Sequence, residues 1–293
     1  MHFSQNIAIF LKSSRRSLKK KMVSNSDISF SSGYNNHMKF DGKGYANKIE
    51  NEVKARVAQL KQKPKIVSIL VGNDPASVLY TRLKQEAAIR VGIDFEVERL
   101  DRVSKDIVAE IASRDEVTGL MLQLPVPDLR GYTLKEVLSS IPSEKDVDGL
   151  RYPESGVVPP VVTAVLIILD EIAVNSKLKI KDSKIVVVGA KGFVGSGVVA
   201  ELGKRGTQVI GVERGDDMGV TLSGDVVISA VGEEGIIIPE MIKDGAVVID
   251  VGAPRGDMAK EVYQKASVSV EVPGGVGPVT IACLMEKGCK HEQ

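Results

Sequence analysis

Two groups of residues in this chain have the types and spacing for chemistry. The first is the glycine-rich turn Gly189-Ala190-Lys191-Gly192-Phe193-Val194-Gly195, between the β-branched run Ile185 to Val188 and an apolar helical stretch with Val198, Val199 and Leu202. Such a turn between strand and helix lets the backbone approach a diphosphate, whose charge then sits on the helix N-terminus. The next apolar run, Thr207 to Val212, ends in Glu213, about 18 residues past Gly195, where an acid accepts the hydroxyls of an adenosine ribose. Turn and acid together predict a dinucleotide site; glycines serving only close helix-to-strand packing are the competing explanation. The second group is Tyr80 and Lys84, whose i, i+4 spacing puts both on one helix face. A lysine partly buried against an aromatic ring loses the hydration of its charged form and becomes a proton-transfer group near neutral pH. The alternative is a solvent-facing lysine beside a packed tyrosine.

The elements that must position these residues alternate between strand and helix patterns. Ala46, Ile49, Val53, Val57 and Leu60 step by three and four and stripe one helix face. Lys65 to Val71 is a short strand, followed by the turn Gly72-Asn73-Asp74-Pro75 and a helix from about Ala76 to Val91 that carries Tyr80 and Lys84. Phe95 to Leu100 and Val117 to Leu124 predict further strands, separated by an amphipathic helix with Ile107 and Ile111. A long helix, about Val161 to Ala173, bridges to a second set of strands: Ile185 to Val188, Gln208 to Val212, Asp225 to Ala230 and Ala246 to Val251. These are apolar along their length, as strands covered on both faces are, and predict a doubly wound parallel sheet.

Composition narrows the classes of function. At 293 residues, 43% hydrophobic and 26% charged, the chain is long enough for two compact domains. Lys plus Arg (39) nearly balance Asp plus Glu (38), so no global basic field collects nucleic acid or an anionic membrane. No run reaches the roughly 20 apolar residues of a membrane span. Cys283 and Cys289 have no zinc-like spacing, and His2, His37 and His291 lie at the chain ends, so neither a metal nor imidazole chemistry is expected. Residues 1–37 carry Lys12, Arg15, Arg16 and Lys19 to Lys21 against one acid, Asp27. That composition suits an organelle transit peptide; a basic tail outside the fold and a true start at Met38 are the alternatives.

Several stretches in fixed order carry a further resemblance, covering nearly all of Met38 to Lys287. Val71-Gly72-Asn73-Asp74-Pro75-Ala76-Ser77 with Tyr80 and Lys84, Leu122-Gln123-Leu124-Pro125, Lys145-Asp146-Val147-Asp148-Gly149 and Pro273-Gly274-Gly275-Val276-Gly277-Pro278-Val279-Thr280 resemble the methylenetetrahydrofolate dehydrogenase/cyclohydrolase family. Val227 to Gly232 and Gly245 to Gly252 resemble that family's later cofactor-domain strands. Tyr-x-x-x-Lys also resembles short-chain dehydrogenases, but there the glycine turn precedes the pair, and chain order rejects them. The folate-enzyme resemblance implies two α/β domains with a cleft between: a parallel-sheet catalytic domain over 38–160, completed by a C-terminal helix at about 278–293, and a Rossmann-type NAD(P)-binding domain over 161–277. It implies oxidation of 5,10-methylenetetrahydrofolate and hydrolysis of the methenyl product to 10-formyltetrahydrofolate, without a metal. Lys84 would handle protons with Gln123 orienting it, Tyr80 would lie against the folate, and Asp148 would hold the pterin. Gly274, Gly275 and Pro278 would form a wall over substrate. Gly189, Ala190, Lys191, Gly195, Glu213, Arg214, Ala230, Val231, Gly232 and Thr163 would bind the cofactor. A homodimer is implied, in the cytoplasm, or in the mitochondrial matrix if residues 1–37 are a transit peptide.

The departures from the family pattern refine these expectations. The usual Pro-Cys-Thr-Pro entering the connecting helix is here Pro159-Pro160-Val161-Val162-Thr163-Ala164, leaving Thr163 as the available hydroxyl. A dehydrogenase without the second step, or a cofactor-binding homologue without turnover, are the alternatives this change raises. The usual Gly-Arg-Ser is Gly189-Ala190-Lys191, which removes an arginine partner for a 2'-phosphate, and Glu213 stands where a small polar residue is common. Arg214 could clamp a 2'-phosphate, but the adjacent acid repels one. The balance favours NAD over NADP.

Overall fold

The computed structural model describes residues 30–32, 37–176 and 178–289. Its strands are β1 (Phe30–Ser32), β2 (Met38–Phe40), β3 (Lys65–Val71), β4 (Asp94–Leu100), β5 (Gly119–Gln123), β6 (Ile185–Val188), β7 (Val209–Val212), β8 (Val226–Ser229), β9 (Val247–Asp250) and β10 (Val268–Val270). The helices are α1 (Gly42–Val57), α2 (Pro75–Val91), α3 (Lys105–Ala112), α4 (Leu134–Leu138), α5 (Pro160–Asn175), α6 (Phe193–Lys204), α7 (Lys260–Lys265) and α8 (Val276–Gly288).

The first sheet is parallel, in the order β4-β3-β5. Its central strand β3 is apolar apart from Lys65 and Ser68, because both faces are covered. Val67, Ile69 and Val71 pack with Val108 and Ile111 of α3, while Ile66 packs with Val53 and Val57 of α1, Ala87 and Val91 of α2, and Leu284 of α8. Helix α2 has clear local signals. Asp74 caps it by accepting from the Ser77 amide at 2.8 Å, Pro75 occupies its first turn, and Gly92 ends it at φ 86°.

The second sheet has the order β1-β2-β10-β9-β8-β6-β7, parallel except for the β1-β2 pair. Helices α5 and α6 cover one face through Val165, Ile168, Leu169, Val198 and Leu202, which pack on Ile185, Val187, Ile228 and Ile249. Helix α8 contacts α1 and α2 of the first domain and also α5, so it lies between the two halves.

The structure corrects the domain expectation at two places. Met38–Phe40, assigned by sequence to the first domain, pairs in parallel with β10 of the second sheet, with Met38 opposite Val268. Three residues are too few to show a period, and the buried Phe40 joins the core beneath α5. Phe30–Ser32, within the segment expected to lie outside the fold, pairs antiparallel with β2; 1–29 and 33–36 lie outside the described residues. The short elements β10 and α7 were not anticipated, and α8 begins at Val276 rather than Pro278. Among the described residues no helix is long and apolar enough to cross a membrane.

Candidate active site

Lys84 projects from the buried face of α2 and is 9% exposed. Its Nζ donates to Gln123 Oε1 at 3.1 Å and to Asp148 Oδ2 at 3.4 Å. Gln123 ends β5, at the carboxyl edge of the parallel sheet, where such folds place ligands. Its Nε2 donates to the Leu124 carbonyl at 3.1 Å, which directs Oε1 toward the lysine, and Ser77 Oγ donates to the same carbonyl at 3.1 Å. Asp148 is presented by a turn built on Asp146, whose carboxylate accepts from the Leu150 and Arg151 amides at 3.2 and 3.3 Å. Burial holds the Asp146 carboxyl above the usual carboxylate range. Gly149 closes the turn at φ 65°, where a Cβ would lie 2.8 Å from Pro159 Cα.

These side chains line a cavity of about 250 Å³ together with Tyr80, Leu150, Val161, Phe193, Thr280, Ile281 and Leu284. Burial raises the pKa of the Tyr80 phenol. The lining comes from both halves of the molecule, since Phe193 opens α6 and Thr280 lies on α8.

The cofactor-side residues meet at the carboxyl ends of β6, β7 and β8. Gly189 has φ 77°, and a Cβ there would lie 2.6 Å from Ala230 O. A Cβ on Gly195 would lie 2.0 Å from Gly189 O, so the first turn of α6 is seated directly on the glycine loop. Gly192 stands at the N-cap of helix α6 and supplies no side-chain cap, which leaves the first amides of the helix for an anion. These features fit a dinucleotide diphosphate. The Glu213 carboxylate reaches back across the turn and accepts from the Lys191 backbone N–H. Arg214 is ion-paired with Glu233.

Some expected contacts lie elsewhere. The Val231 and Gly232 amides turn inward and donate to the Asp257 carboxylate at 2.8 and 2.9 Å, so they are not offered to a cofactor. Thr163 donates its hydroxyl to Pro159 O at 3.1 Å within its own helix, and it is Val161 that reaches the cavity. Gly274 and Gly275 form a tight turn against α1, where a Cβ on Gly42 would lie 2.0 Å from Gly275 O. Pro278 sits in the first turn of α8. The cavity wall near them is Thr280, Ile281 and Leu284 instead. Sequence reasoning passed over Ser77, Phe193, Thr280 and Asp257. Ser77, Phe193 and Thr280 lie inside motifs quoted above, whereas Asp257 has no local signal.

A lysine-centred polar cluster facing a dinucleotide-binding domain across a cleft defines a two-domain, nucleotide-dependent oxidoreductase. Residues 40–148 match the family described as tetrahydrofolate dehydrogenase/cyclohydrolase, catalytic domain, and residues 159–293 match its NAD(P)-binding domain. A bifunctional protein FolD of Methanosarcina mazei is 36% identical over 272 residues, covering 84% of this chain and 93% of the relative. The crystal structure of the Campylobacter jejuni bifunctional FolD superposes with a TM-score of 0.77 at 31% identity, covering 86% of this chain and 96% of that one. The Trypanosoma brucei enzyme, solved with NADP and an inhibitor, gives a TM-score of 0.76 at 28% identity, covering 86% of this chain and 96% of that one. The chain belongs to the tetrahydrofolate dehydrogenase/cyclohydrolase family. It is a methylenetetrahydrofolate dehydrogenase and methenyltetrahydrofolate cyclohydrolase with an NAD(P)-binding domain.

Proposed function

We propose that both reactions run in the cleft around Lys84 and that NAD is preferred to NADP. The observation that carries the first part is the Lys84–Gln123–Asp148 cluster at the cavity wall. Bound NAD would supply the hydride acceptor for the methylene carbon of 5,10-methylenetetrahydrofolate. Gly189, Gly195 and the uncapped start of α6 hold the diphosphate, and Glu213 accepts the adenosine ribose hydroxyls. Asp148 accepts hydrogen bonds from the pterin amino and ring N–H groups, and Tyr80 lies against the folate. Oxidation leaves a methenyl cation bridging two folate nitrogens, and water adds to its carbon. Lys84, held by Gln123, gives a proton to the ring nitrogen as the carbon–nitrogen bond breaks and recovers one from the added hydroxyl as it becomes the formyl oxygen. The second water proton is released, and 10-formyltetrahydrofolate results.

NAD preference is supported by three features of charge. Glu213 lies at the ribose position, the family arginine is Ala190, and Arg214 is paired with Glu233. Each opposes an added 2'-phosphate. The deciding experiment measures reduction of NAD and NADP by the purified full-length protein with methylenetetrahydrofolate, and loss of methenyltetrahydrofolate without dinucleotide. Turnover of both kinds with a higher kcat/KM for NAD is expected; reduction of neither dinucleotide overturns the proposal. The cytoplasmic location and homodimer implied by the family are checked by fractionation and light scattering.

A further inference from the structure

The carboxylate of Asp257 is fully buried, and no step described so far uses it. It lies in the segment between β9 and α7, yet it reaches the loop that follows β8. Oδ2 accepts from Ser229 Oγ at 2.8 Å and from the Val231 amide at 2.8 Å. Oδ1 accepts from the Gly232 amide at 2.9 Å and the Glu233 amide at 3.0 Å. Three successive amides of one loop thus converge on one carboxylate. Such convergence fixes a backbone path, here one with Gly232 at φ 77°.

The carboxylate is itself held. The Asp257 amide donates to Asp250 Oδ1 at 3.1 Å, and Asp250 also accepts from the Gly252 and Met258 amides at 2.8 and 2.9 Å and from the Tyr263 hydroxyl at 2.7 Å. A Cβ on Gly252 would lie 2.4 Å from Asp257 Oδ1, so the side chain has no room to swing away. The loop it shapes is the one whose Ala230 carbonyl abuts Gly189 of the cofactor turn.

We propose that Asp257 is a positioning residue for the dinucleotide: it templates the 230–233 loop and thereby sets cofactor affinity without touching the cofactor. The amides of that loop are consumed by Asp257, so the diphosphate is left to the start of α6, and the dinucleotide meets the carbonyl edge of the loop. This proposal rests on the assignment of the cleft beside Gly189 to NAD(P).

The test uses the full-length protein, with the Kd for NAD from calorimetry and the cyclohydrolase rate without dinucleotide. In Asp257→Asn an amide NH₂ would face N–H donors, and the Kd for NAD is expected to rise about tenfold or more. Ser229→Ala removes one of the four bonds and is expected to raise it about threefold. Cyclohydrolase turnover, which takes place without a dinucleotide, reports that the fold persists. A Kd within twofold of the parent in folded Asp257→Asn overturns the proposal. So does loss of cyclohydrolase turnover in parallel with NAD affinity in both variants, which would make the carboxylate a general stabiliser. If Asp257→Asn does not fold, Ser229→Ala decides, and an unchanged Kd there refutes it. Failure of the parent to bind NAD or NADP would be seen first and would overturn the cofactor assignment and this proposal together.

Discussion

Lys84 Nζ stands 3.4 Å from Asp148 Oδ2, although the two residues are 64 positions apart and come from helix α2 and from a turn that follows β5 in the chain. In the proposed mechanism the pair joins the proton-moving group to the pterin-holding group, and Gln123 is the third member at 3.1 Å from the lysine. Because hydride departure moves no proton, the two activities should separate. Lys84→Met is expected to lower cyclohydrolase turnover by about 10²- to 10⁴-fold and the dehydrogenase step by less. Parallel assays of methenyl loss and NADH formation check this, and equal losses in both would remove Lys84 from the proton route.

Asp148→Asn keeps the shape of the turn and removes the charge proposed to accept from the pterin. A lost charge-assisted bond corresponds to roughly a 10- to 100-fold rise in KM for the folate. The KM for NAD should move little. Initial-rate kinetics with each substrate varied separates the two.

The cofactor preference is expected to yield to changes of charge at the end of β7. Glu213→Ser removes the acid at the proposed ribose position and should raise the NADP-to-NAD ratio of kcat/KM by about tenfold. Glu233→Gln releases Arg214 from its ion pair and should move the ratio the same way, more strongly when combined with Glu213→Ser. An unchanged ratio in the double variant would place the adenosine ribose elsewhere.

Strand β2 ties the second sheet to the residues just before α1. Phe40 is 1% exposed and packs under α5, so Phe40→Ala is expected to cost about 3–5 kcal/mol. Urea unfolding measures it, with the midpoint displaced and the slope retained. A cost below about 1 kcal/mol would detach β2 from the core.

Acid should weaken the helix that carries Tyr80 and Lys84. The Ser77 amide, and then its hydroxyl, hold the Asp74 carboxyl below its ordinary value of 3.8. A depressed folded pKa means that the cap contributes fully above the ordinary value and is lost as pH falls through the folded one. Asp74→Ala should therefore melt at a lower temperature than the parent at pH 7, with the gap closing below about pH 3.8. Thermal melts of both proteins across that range would show the gap narrowing, and a gap independent of pH would count against the cap.

Much of this molecule was legible along the chain because its signals are local. The apolar runs are β3 and β5 to β9 with boundaries shifted by a residue or two, since a strand covered on both faces must be apolar throughout, while the edge strand β4 mixes Phe95 and Val97 with charged residues. The helix bearing Tyr80 and Lys84 announced itself through Asp74, Pro75 and Gly92, and the glycine turn through residues that no Cβ could replace. What the sequence determined by itself was therefore the order of the main elements and the fold class, and it singled out Lys84, Gln123 and Asp148, which the structure gathers at one cavity wall.

Only the tertiary structure decided which of these groups meet, and which backbone amides remain for a ligand. Met38–Phe40 crosses into the second sheet because a three-residue strand is chosen by the edge it pairs with, not by its own pattern. The Gly274 turn packs on Gly42 and gives the cavity wall to Thr280 and Ile281, because a close backbone approach depends on two distant segments. The loop after β8 was read as a cofactor contact, yet its Val231 and Gly232 amides are spent on Asp257, 26 and 25 residues away. A buried carboxylate must find donors wherever the fold brings them, and that search takes place in space rather than along the chain.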